Sequence, residues 1–404
     1  MDWKRDLGFT DRLTVIQTLT STYQRASSSA AFAEAQAQAR RFEGEAYEKA
    51  VSREEYERMC QQAIDEAETT DSVAPIISSP AGGGEEQDDG DGDGDDDDDG
   101  EGYAGETIGR YRHCFYHRDG LHSSVYKAKD ETDGGLMVAL KVTVPHMMAA
   151  PHNAHREVRL LQKAAGSRVI ALRESFNLSG GRLILVFPFM RYDLEQLLRQ
   201  GLVTAQQGRS HLRDLFTALA HLHGLGIIHR DVKPANILLE SLDGPAYLAD
   251  LGIAWREGEQ GSEPPAQKIT DVGTTCYRPP EVLFGLKAYG TALDLWAAGC
   301  VVAETLVAGH TPLFDAGPVG SDLSLIHSIF KTLGTPNAQS WPETQRLPDW
   351  GKVEFYEFPT GSWDEILKGA SSKGRELVSQ LVRYESSERL AASAALQHPY
   401  FMVP

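Results

Sequence analysis

The chain has 404 residues and is 41% apolar, which is enough for two or three folded domains. Its formal net charge of −19 is concentrated in residues 85–101, which hold twelve acidic side chains and no basic one, so the rest of the chain carries −7. No apolar run reaches the roughly 18 residues that a membrane helix needs, and residues 1–8 lack the apolar core of a signal peptide. The absence of a long apolar run argues against a membrane-spanning protein. The acidity is a property of one short tract and not of the whole chain.

The four cysteines, at positions 60, 114, 276 and 300, lie far apart and show no metal-ligand spacing. In a chain of this length, such cysteines are typical of reduced thiols inside the cell. We therefore expect a protein of the nucleus, the cytoplasm or both, with neither membrane association nor direct nucleic-acid binding.

Residues 1–70 show the pattern of three short amphipathic helices, near the lower size limit for independent folding. The third is the clearest, because Ser52 followed by Glu55 predicts a capping box, in which each side chain bonds the other's backbone amide. Apolar residues then recur along one helical face, at Tyr56, Met59, Cys60, Ala63, Ile64 and Ala67. The corresponding faces are Leu13, Ile16 and Leu19 in the first helix, and Phe32, Ala35, Ala39, Phe42 and Ala46 in the second.

Residues 42–56, which read FEGEAYEKAVSREEY, together with Trp3 upstream, resemble the KIX domain of transcriptional coactivators and Mediator subunits. The resemblance covers about 65 residues of the chain. It implies that residues 1–70 form a KIX-like three-helix domain, which binds amphipathic transcription-factor segments in an apolar groove. The alternative is a small helical bundle that docks on the domain that follows.

Residues 71–107 are predicted to form a disordered acidic linker. Pro75 and Pro80 interrupt regular structure, glycines 82–84 add flexibility, and the like charges of the acidic run repel one another. The Asp-Gly repeats of this run lack the terminal Glu and flanking helices of an EF-hand calcium loop, so a solvated spacer is favoured.

Residues 228–236 read IHRDVKPAN, and six of these positions match the pattern H-R-D-x-K-P-x-N. The run resembles the catalytic loop of eukaryotic protein kinases. The resemblance implies an α+β bilobal protein kinase fold in residues 108–404, with a β-rich N-lobe (108–190) and an α-helical C-lobe (191–404). This fold would follow the small three-helix bundle and the disordered linker.

The resemblance also assigns catalytic roles. Asp231 would accept the proton of the substrate hydroxyl, and Lys233 beside it would steady the γ-phosphate. Lys141 ends a VALK run that is similar to the V-A-I-K motif, whose Lys pairs the α- and β-phosphates. Glu157 follows within a predicted helix and would form the ion pair with Lys141 that marks an active arrangement.

Two residues are predicted to hold Mg²⁺. Asp250 lies in an ADLG run, a variant of D-F-G, and supplies a carboxylate to this hard cation. Asn236 closes the catalytic loop and supplies the second ligand. The implied cofactors are therefore ATP and Mg²⁺.

The ATP-binding residues implied by the resemblance lie in the strands of the N-lobe and in the hinge. Phe187 would be the gatekeeper, the backbone of Pro188 and Met190 would bond adenine, and Asp193 would contact the ribose. The full set is Gly120, Val125, Ala139, Lys141, Phe187, Pro188, Met190 and Asp193.

The glycine-rich loop departs from its family. Arg118, Gly120 and Ser123 occupy the three glycine positions of G-x-G-x-x-G-x-V, and only Gly120 is retained. Glycines let the backbone approach phosphate closely. We expect ATP to bind, with lower affinity or a more rigid loop, and His122 and Ser124 are candidate extra donors.

Several further motifs resemble the cyclin-dependent kinase group over about 290 residues. Glu281 closes a YRPPE run like A-P-E, and Arg389 matches the Arg that pairs with this Glu. Asp294 matches the buried Asp that braces the catalytic loop, and residues 330–336 match the insert of the group. These features are structural rather than catalytic.

The control elements of that group are altered. The activating Thr position is Ile269, with Thr270 one place away, so we expect Arg230 to lack its usual phosphate partner. Cys276 replaces a Trp and Gly273 replaces a Val near the substrate pocket, so a strict preference for Ser-Pro or Thr-Pro substrates is not assumed.

Residues 151–157 resemble the P-S-T-A-I-R-E helix that packs on cyclin, but His155 stands at the aliphatic position. A titratable ring fits an apolar pocket poorly, which puts cyclin binding in doubt. The degenerate glycine loop, the missing activating Thr and the GTTCYRPPE run of residues 273–281 are similar to the fungal kinases that activate cyclin-dependent kinases.

The functional prediction is a serine/threonine protein kinase of the cyclin-dependent type, with protein substrates that include other cyclin-dependent kinases and with no cyclin requirement. The alternative is a transcription-complex scaffold with a weakly active kinase domain.

Overall fold

The structure is a computed structural model that describes residues 15, 18–19, 22–23, 39, 42–43, 46–47, 49–69, 105–120, 123–317 and 320–402. The chain divides into two units, residues 1–100 and 101–404. Within the described residues, no helix is both long and apolar enough to cross a bilayer. All four cysteines are free thiols.

The first unit contains helix α1 (Arg53–Thr69), and the described residues between 15 and 49 are also helical. Ser52 Oγ accepts a hydrogen bond from the Glu55 amide at 3.2 Å, as predicted. The Glu55 carboxylate accepts a hydrogen bond from the Val51 amide at 2.9 Å. The predicted bond to the Ser52 amide was therefore wrong by one residue. The bond to Ser52 satisfies an amide of the first helical turn, which has no intrahelical partner, and the bond from Val51 ties the preceding residues to the helix.

The predicted apolar faces of the first unit form its core. Ala46, Tyr56 and Cys60 pack in one cluster, and Leu19, Ala39 and Ala63 pack in a second. The buried Tyr56 hydroxyl donates to the buried Glu43 carboxylate at 2.8 Å, which satisfies a carboxylate inside a small core. The remaining predicted positions, Trp3, Leu13, Ile16, Phe32 and Ala35, and the acidic run lie outside the described residues.

The N-lobe of the second unit is a six-stranded antiparallel sheet. Its strands are β1 (Glu106–Ile108), β2 (Tyr111–Gly120), β3 (Ser123–Asp130), β4 (Leu136–Thr143), β5 (Glu174–Leu178) and β6 (Arg182–Pro188). They lie in the order β1-β2-β3-β4-β6-β5. Apolar side chains on one face of the sheet, among them Val138, Leu140 and Ile184, form a separate core. Regular structure thus begins at residue 106, two residues before the predicted start of the N-lobe at residue 108.

Helix α2 (Ala154–Lys163) follows β4 and is N-capped by Asn153, whose side-chain oxygen accepts from the Arg156 amide at 2.9 Å. The residues of this helix that pack against the lobe are Ala154, Leu160 and Leu161, while His155 is exposed. The predicted helix is therefore present, and its charged residues Arg156 and Glu157 are buried.

The C-lobe is mainly helical and surrounds the largest core, in which Phe216, Trp296 and Phe330 are fully buried. Its helices are α3 (Leu194–Arg199), α4 (Ala205–Gly224), α5 (Pro280–Leu283), α6 (Ala292–Leu306), α7 (Asp322–Leu333), α8 (Trp363–Ile366), α9 (Ser372–Leu381) and α10 (Ala392–Ala395). Short strands carry the catalytic segments, namely β7 (Tyr192–Asp193), β8 (Ile227–Ile228), β9 (Ile237–Leu239), β10 (Ala246–Leu248) and β11 (Trp255–Arg256). The predicted bilobal α+β architecture is confirmed.

Candidate active site

A largely buried lysine of the N-lobe contacts both lobes. Strand β4 directs Lys141 Nζ to 2.7 Å from Glu157 Oε1 of α2 and to 2.8 Å from Asp250 Oδ1. The Glu157 side chain is 2% exposed and that of Lys141 16% exposed, so both charges depend on each other for stabilisation. The predicted ion pair is formed, and it also includes the predicted metal ligand Asp250.

The protonation states of this triad follow from its geometry. Burial alone would lower the pKa of Lys141, but the charges of Asp250 and Glu157 reverse this effect and raise it. The nearby Lys141 charge lowers the pKa of Asp250 well below its usual range. Burial raises the pKa of Glu157, and Lys141 offsets part of that rise. Asp250 is therefore ionised at neutral pH.

Asp294, at the start of α6, braces the catalytic loop from below. Its carboxylate accepts hydrogen bonds from the amides of His229 at 2.8 Å and Arg230 at 2.9 Å, and it lies 2.9 Å from His223 Nε2. Burial would raise the pKa of Asp294, but these bonds, led by that from His223, bring it below its usual value. The motif predicted that this carboxylate stabilises the catalytic loop, and the structure shows it fully buried with three hydrogen-bond donors.

Asp231, the predicted base, is held by four groups. Its Oδ1 accepts from both the amide and the hydroxyl of Thr274 at 2.9 Å, and its Oδ2 lies 2.9 Å from Lys233 Nζ. Asn236 Nδ2 donates to Asp231 Oδ2 at 3.1 Å and to the Asp231 carbonyl at 2.8 Å. Lys233 also donates to the Thr274 hydroxyl at 2.7 Å, so one small hydrogen-bond network orients the predicted base.

The donor set at Asn236 and Asp250 fits Mg²⁺. Asn236 uses its amide nitrogen for Asp231, which leaves the amide oxygen for a cation. Asp250 is ionised and binds Lys141 through Oδ1. Mg²⁺ is typically held by one or two protein oxygens together with phosphate oxygens and water. The described residues contain no cluster of three or more His, Cys, Asp or Glu side chains placed to hold a metal ion.

A cleft of about 670 Å³ lies between the lobes and is lined by most of the predicted nucleotide-binding residues. Strand pairing explains the arrangement, because Val125 lies opposite Lys141, and Ala139 lies opposite Phe187. The predicted residues in the lining are Gly120, Val125, Ala139, Lys141, Phe187, Pro188, Met190, Asp231, Lys233, Asn236 and Asp250. Glu157 also lines the cleft, while His122 lies outside the described residues.

Asp193 is the predicted nucleotide contact that the structure does not bring into this lining. Its Oδ1 accepts from the Gln196 amide at 2.8 Å and caps α3, and its Oδ2 lies 3.2 Å from Arg118 Nη1. Both carboxylate oxygens are thus already engaged. The partner Arg118 stands at the first glycine position of the degenerate loop, so this substitution creates a contact across the mouth of the cleft.

Arg230, which was predicted to lack its usual phosphate partner, pairs with a carboxylate of the chain instead. Arg230 Nη1 lies 3.1 Å from Glu263 Oε1, within the activation segment. An uncompensated buried guanidinium is costly, and a carboxylate of the chain itself supplies the charge. The other predicted structural pair is present as well, because Arg389 binds the buried Glu281 through two bonds of 2.6 and 2.7 Å.

Sequence reasoning missed Thr274, Glu263 and Glu259. Thr274 was part of the quoted GTTCYRPPE run, and its position shortly before Tyr277 was the available signal. Glu263 and Glu259 lie in residues 257–267, which read EGEQGSEPPAQ and have no periodic pattern. Their contacts arise from the path of the activation segment, which no local pattern reveals.

Comparison with known proteins gives two family matches. The protein kinase domain family matches residues 119–401, and the KIX domain family matches residues 1–74. Among curated proteins, cyclin-dependent kinase 20 of Danio rerio is 35% identical over 287 residues, which is 70% of this chain and 80% of that protein. Cyclin-dependent kinase 20 of Pongo abelii (36% over 287 residues) and of Homo sapiens (35% over 286 residues) match over the same shares of each chain.

The fold, the site and the matched domain define a protein kinase. More narrowly, the chain belongs to the cyclin-dependent kinase family and carries a KIX domain at its N-terminal end. Members of this family use ATP with Mg²⁺ to phosphorylate proteins, as the sequence motifs implied.

Proposed function

We propose that this chain is an active serine/threonine kinase that phosphorylates other cyclin-dependent kinases and needs no cyclin. The observation that carries the proposal is the contact of Lys141 with both Glu157 and Asp250 in a single chain. In kinases, the Lys–Glu pair and the metal-binding Asp must both be in place for activity. The position of the helix that carries this Glu, which is α2 in this chain, controls whether the pair forms.

The residues of the site support phosphoryl transfer. Bound ATP with Mg²⁺ supplies the γ-phosphoryl group and neutralises charge during its transfer. Asp231 orients the Ser or Thr hydroxyl and takes its proton, as the hydroxyl oxygen forms a bond to the γ-phosphorus and ADP leaves. Lys233 stabilises the charge beside the reacting oxygens. Thr274 and Asn236 keep the Asp231 carboxylate in one orientation.

Contacts within the chain support independence from cyclin. The Glu259 carboxylate, 4% exposed, lies 2.7 Å from Arg159 Nε and 2.7 Å from Lys163 Nζ of α2. The Asn153 amide donates to the Gly252 carbonyl at 3.1 Å. The activation segment therefore already stabilises the helix that a cyclin would otherwise hold, and His155 on its exposed face offers a poor apolar contact.

The substrate pocket favours a proline after the phosphorylated residue. Arg278 Nε donates to the carbonyls of Val272 at 3.0 Å and Gly273 at 3.2 Å. These carbonyls, next to the Thr274–Asp231 contact, are less able to accept a bond from a substrate amide. Proline has no amide hydrogen and loses nothing there. The presence of Gly273 in place of a Val is therefore weaker evidence against a preference for Ser-Pro or Thr-Pro substrates.

The first unit is proposed to recruit amphipathic segments of transcription factors, in the nucleus or the cytoplasm. This supports a second candidate function, a scaffold for transcription complexes whose kinase unit is feeble. The KIX match favours that alternative, and the complete Lys141, Asp231, Asn236 and Asp250 set argues against a feeble kinase.

The test is phosphate transfer from Mg-ATP to an inactive cyclin-dependent kinase, with Asp250→Ala as the dead variant. We expect the wild-type chain to transfer phosphate and the Asp250→Ala variant to have no activity. Absence of transfer to this substrate and to generic Ser-Pro peptides would exclude the proposal. Unchanged cellular function of Asp250→Ala would favour the scaffold instead.

A further inference from the structure

We propose that Glu263 is a permanent substitute for an activating phosphate, which positions Arg230 and the catalytic loop without phosphorylation of the activation segment. The inference rests on the proposed kinase function and adds how that activity is controlled. In many kinases, a phosphorylated residue orders this segment by pairing with arginines. Here a carboxylate of the segment itself makes that pairing.

Two buried arginines from different elements converge on Glu263. Arg230, 0% exposed, places Nη1 at 3.1 Å from Oε1 and 3.4 Å from Oε2. Arg156 of α2, 1% exposed, places Nη1 at 4.0 Å from Oε2. One carboxylate thus joins the catalytic loop to the helix that carries Glu157, the partner of Lys141.

The activation segment holds Glu263 in place from both sides. Trp255 Nε1 donates to the Glu263 carbonyl at 2.9 Å, and the Ile269 amide donates to Oε1 at 3.5 Å. Ile269 stands at the position of the activating Thr in the family to which the chain belongs. The carboxylate is therefore located beside the backbone of the residue that would otherwise carry the phosphate.

The charge balance of this region requires an anion. Arg156, Arg230 and Lys268 are all at least 95% buried, and Lys268 lies over the rings of Trp255 and Tyr289. Burial, followed by the charge of Arg230, lowers the pKa of Lys268. Burial would raise the pKa of Glu263, but backbone bonds and Arg230 outweigh it and lower the pKa, so the carboxylate is ionised at neutral pH.

The backbone connects Arg230 to the chemistry. Arg230 directly precedes the base Asp231, has a φ of +73°, and gives its amide to Asp294. Gly273 lies so close that a Cβ there would come within 2.7 Å of the Arg230 carbonyl. A shift of Arg230 would therefore displace both the base and the stretch of residues that binds substrate. Glu263 is a positioning residue and does not touch substrate.

The experiment compares full-length wild type, Glu263→Gln and Glu263→Asp after phosphatase treatment verified by mass spectrometry, with a Ser-Pro peptide as substrate. Glu257→Gln is the matched control, because Glu257 is an exposed carboxylate of the same segment. We expect phosphatase to leave wild-type activity unchanged. Glu263→Gln should lower kcat about tenfold or more, the size of one lost charge-assisted hydrogen bond, with less than about a threefold change in KM for ATP. Glu263→Asp should retain part of the activity, and Glu257→Gln all of it.

A second measurement separates positioning from folding. Glu263→Ala removes the carboxylate and leaves Arg156 and Arg230 facing the vacated space. Added inorganic phosphate or sulfate should raise kcat of this variant in a dose-dependent manner and leave wild type unaffected. A tenfold loss of wild-type activity on phosphatase treatment, full activity of Glu263→Gln, or no response of Glu263→Ala to anions would each overturn the inference. None of these results concerns transfer to cyclin-dependent kinases, which tests the proposed function separately.

Discussion

Glu304 shows how burial changes the titration of a single side chain in this molecule. It lies in α6, is 5% exposed, and accepts a hydrogen bond from the Tyr277 hydroxyl at 2.8 Å. Burial raises the pKa of Glu304 to about 7, and the bond from Tyr277 offsets only part of that rise. A carboxyl with a raised folded-state pKa binds more protons in the folded protein than in the unfolded chain between its two pKa values.

This shift predicts a pH dependence of stability. The free energy of unfolding should fall as pH rises from about 4.5 to about 7 and level off above, because the folded state must then ionise a buried carboxyl. Glu304→Gln keeps an acceptor for Tyr277 and should remove this loss of stability, which is on the order of 3 kcal/mol at pH 8 and near zero at pH 4. Urea unfolding of both proteins across this range measures the difference. An equal difference at every pH would contradict the assignment.

The backbone conformation of Gly273 also has a measurable consequence. Its φ is +74°, and an added Cβ would meet the Arg230 carbonyl at 2.7 Å. Gly273→Ala should lower kcat about tenfold, since backbone strain of about 1–3 kcal/mol would displace the loop beside Asp231. The matched control is Gly290→Ala, where a Cβ meets nothing within 4 Å. Equal kcat values for the two variants would count against a role for this close approach.

At the residue scale, sequence reasoning found the side chains whose identity the chemistry demands at motif spacing. Lys141, Glu157, Asp231 and Asn236 were all identified in this way, and the structure brings them to one cleft. Glu263 could not be found, because a Glu in an irregular loop has no pattern and its partner Arg230 is 33 residues away. The engagement of Asp193 by Arg118 was equally hidden, since it spans 75 residues.

At the scale of elements, one buried ion pair fastens the end of the activation segment to the C-lobe. Arg389 binds Glu281 of α5 through two nitrogens and also donates to the carbonyls of Arg383 and Ala292. The two side chains are 0% and 1% exposed. Removal of one partner leaves the other charge buried without compensation, which is the costly case for ion pairs.

Arg389→Ala should therefore lower the free energy of unfolding by about 3–5 kcal/mol. Urea denaturation followed by tryptophan fluorescence is a suitable measurement, because Arg389 lies 5.0 Å from the centre of the Trp296 ring. Arg383→Ala is the control, since its pair with Glu388 is exposed and should contribute less than about 1 kcal/mol. A similar loss for both variants would show that the buried pair has no special role.

The elements themselves were largely predictable. An apolar strand ending in Lys141 and a helix that contains Glu157 were both predicted, and the structure has them as β4 and α2. The capping of α1 was predicted to within one residue, because which amide a Glu side chain reaches depends on the approach of the preceding chain. Likewise, no sequence pattern shows that Glu259 fastens α2 to the activation segment.

At the scale of the whole molecule, the chain combines a KIX domain and a cyclin-dependent kinase domain in separate units. The predicted catalytic residues line one cleft, while the residues at the control positions differ from those of the family motifs. The α2 helix is held by Glu259, and Arg230 is paired with Glu263, both within the kinase unit. We propose that the single chain forms the active arrangement without a second protein.

The most direct test of this claim is kcat/KM for phosphorylation of an inactive cyclin-dependent kinase, measured with and without a saturating cyclin. Because Lys141 already contacts Glu157 in the single chain, we predict a substantial rate without cyclin and a change of less than about twofold when it is added. Stimulation of more than about tenfold, equivalent to about 1.4 kcal/mol in the activation free energy, would contradict the account.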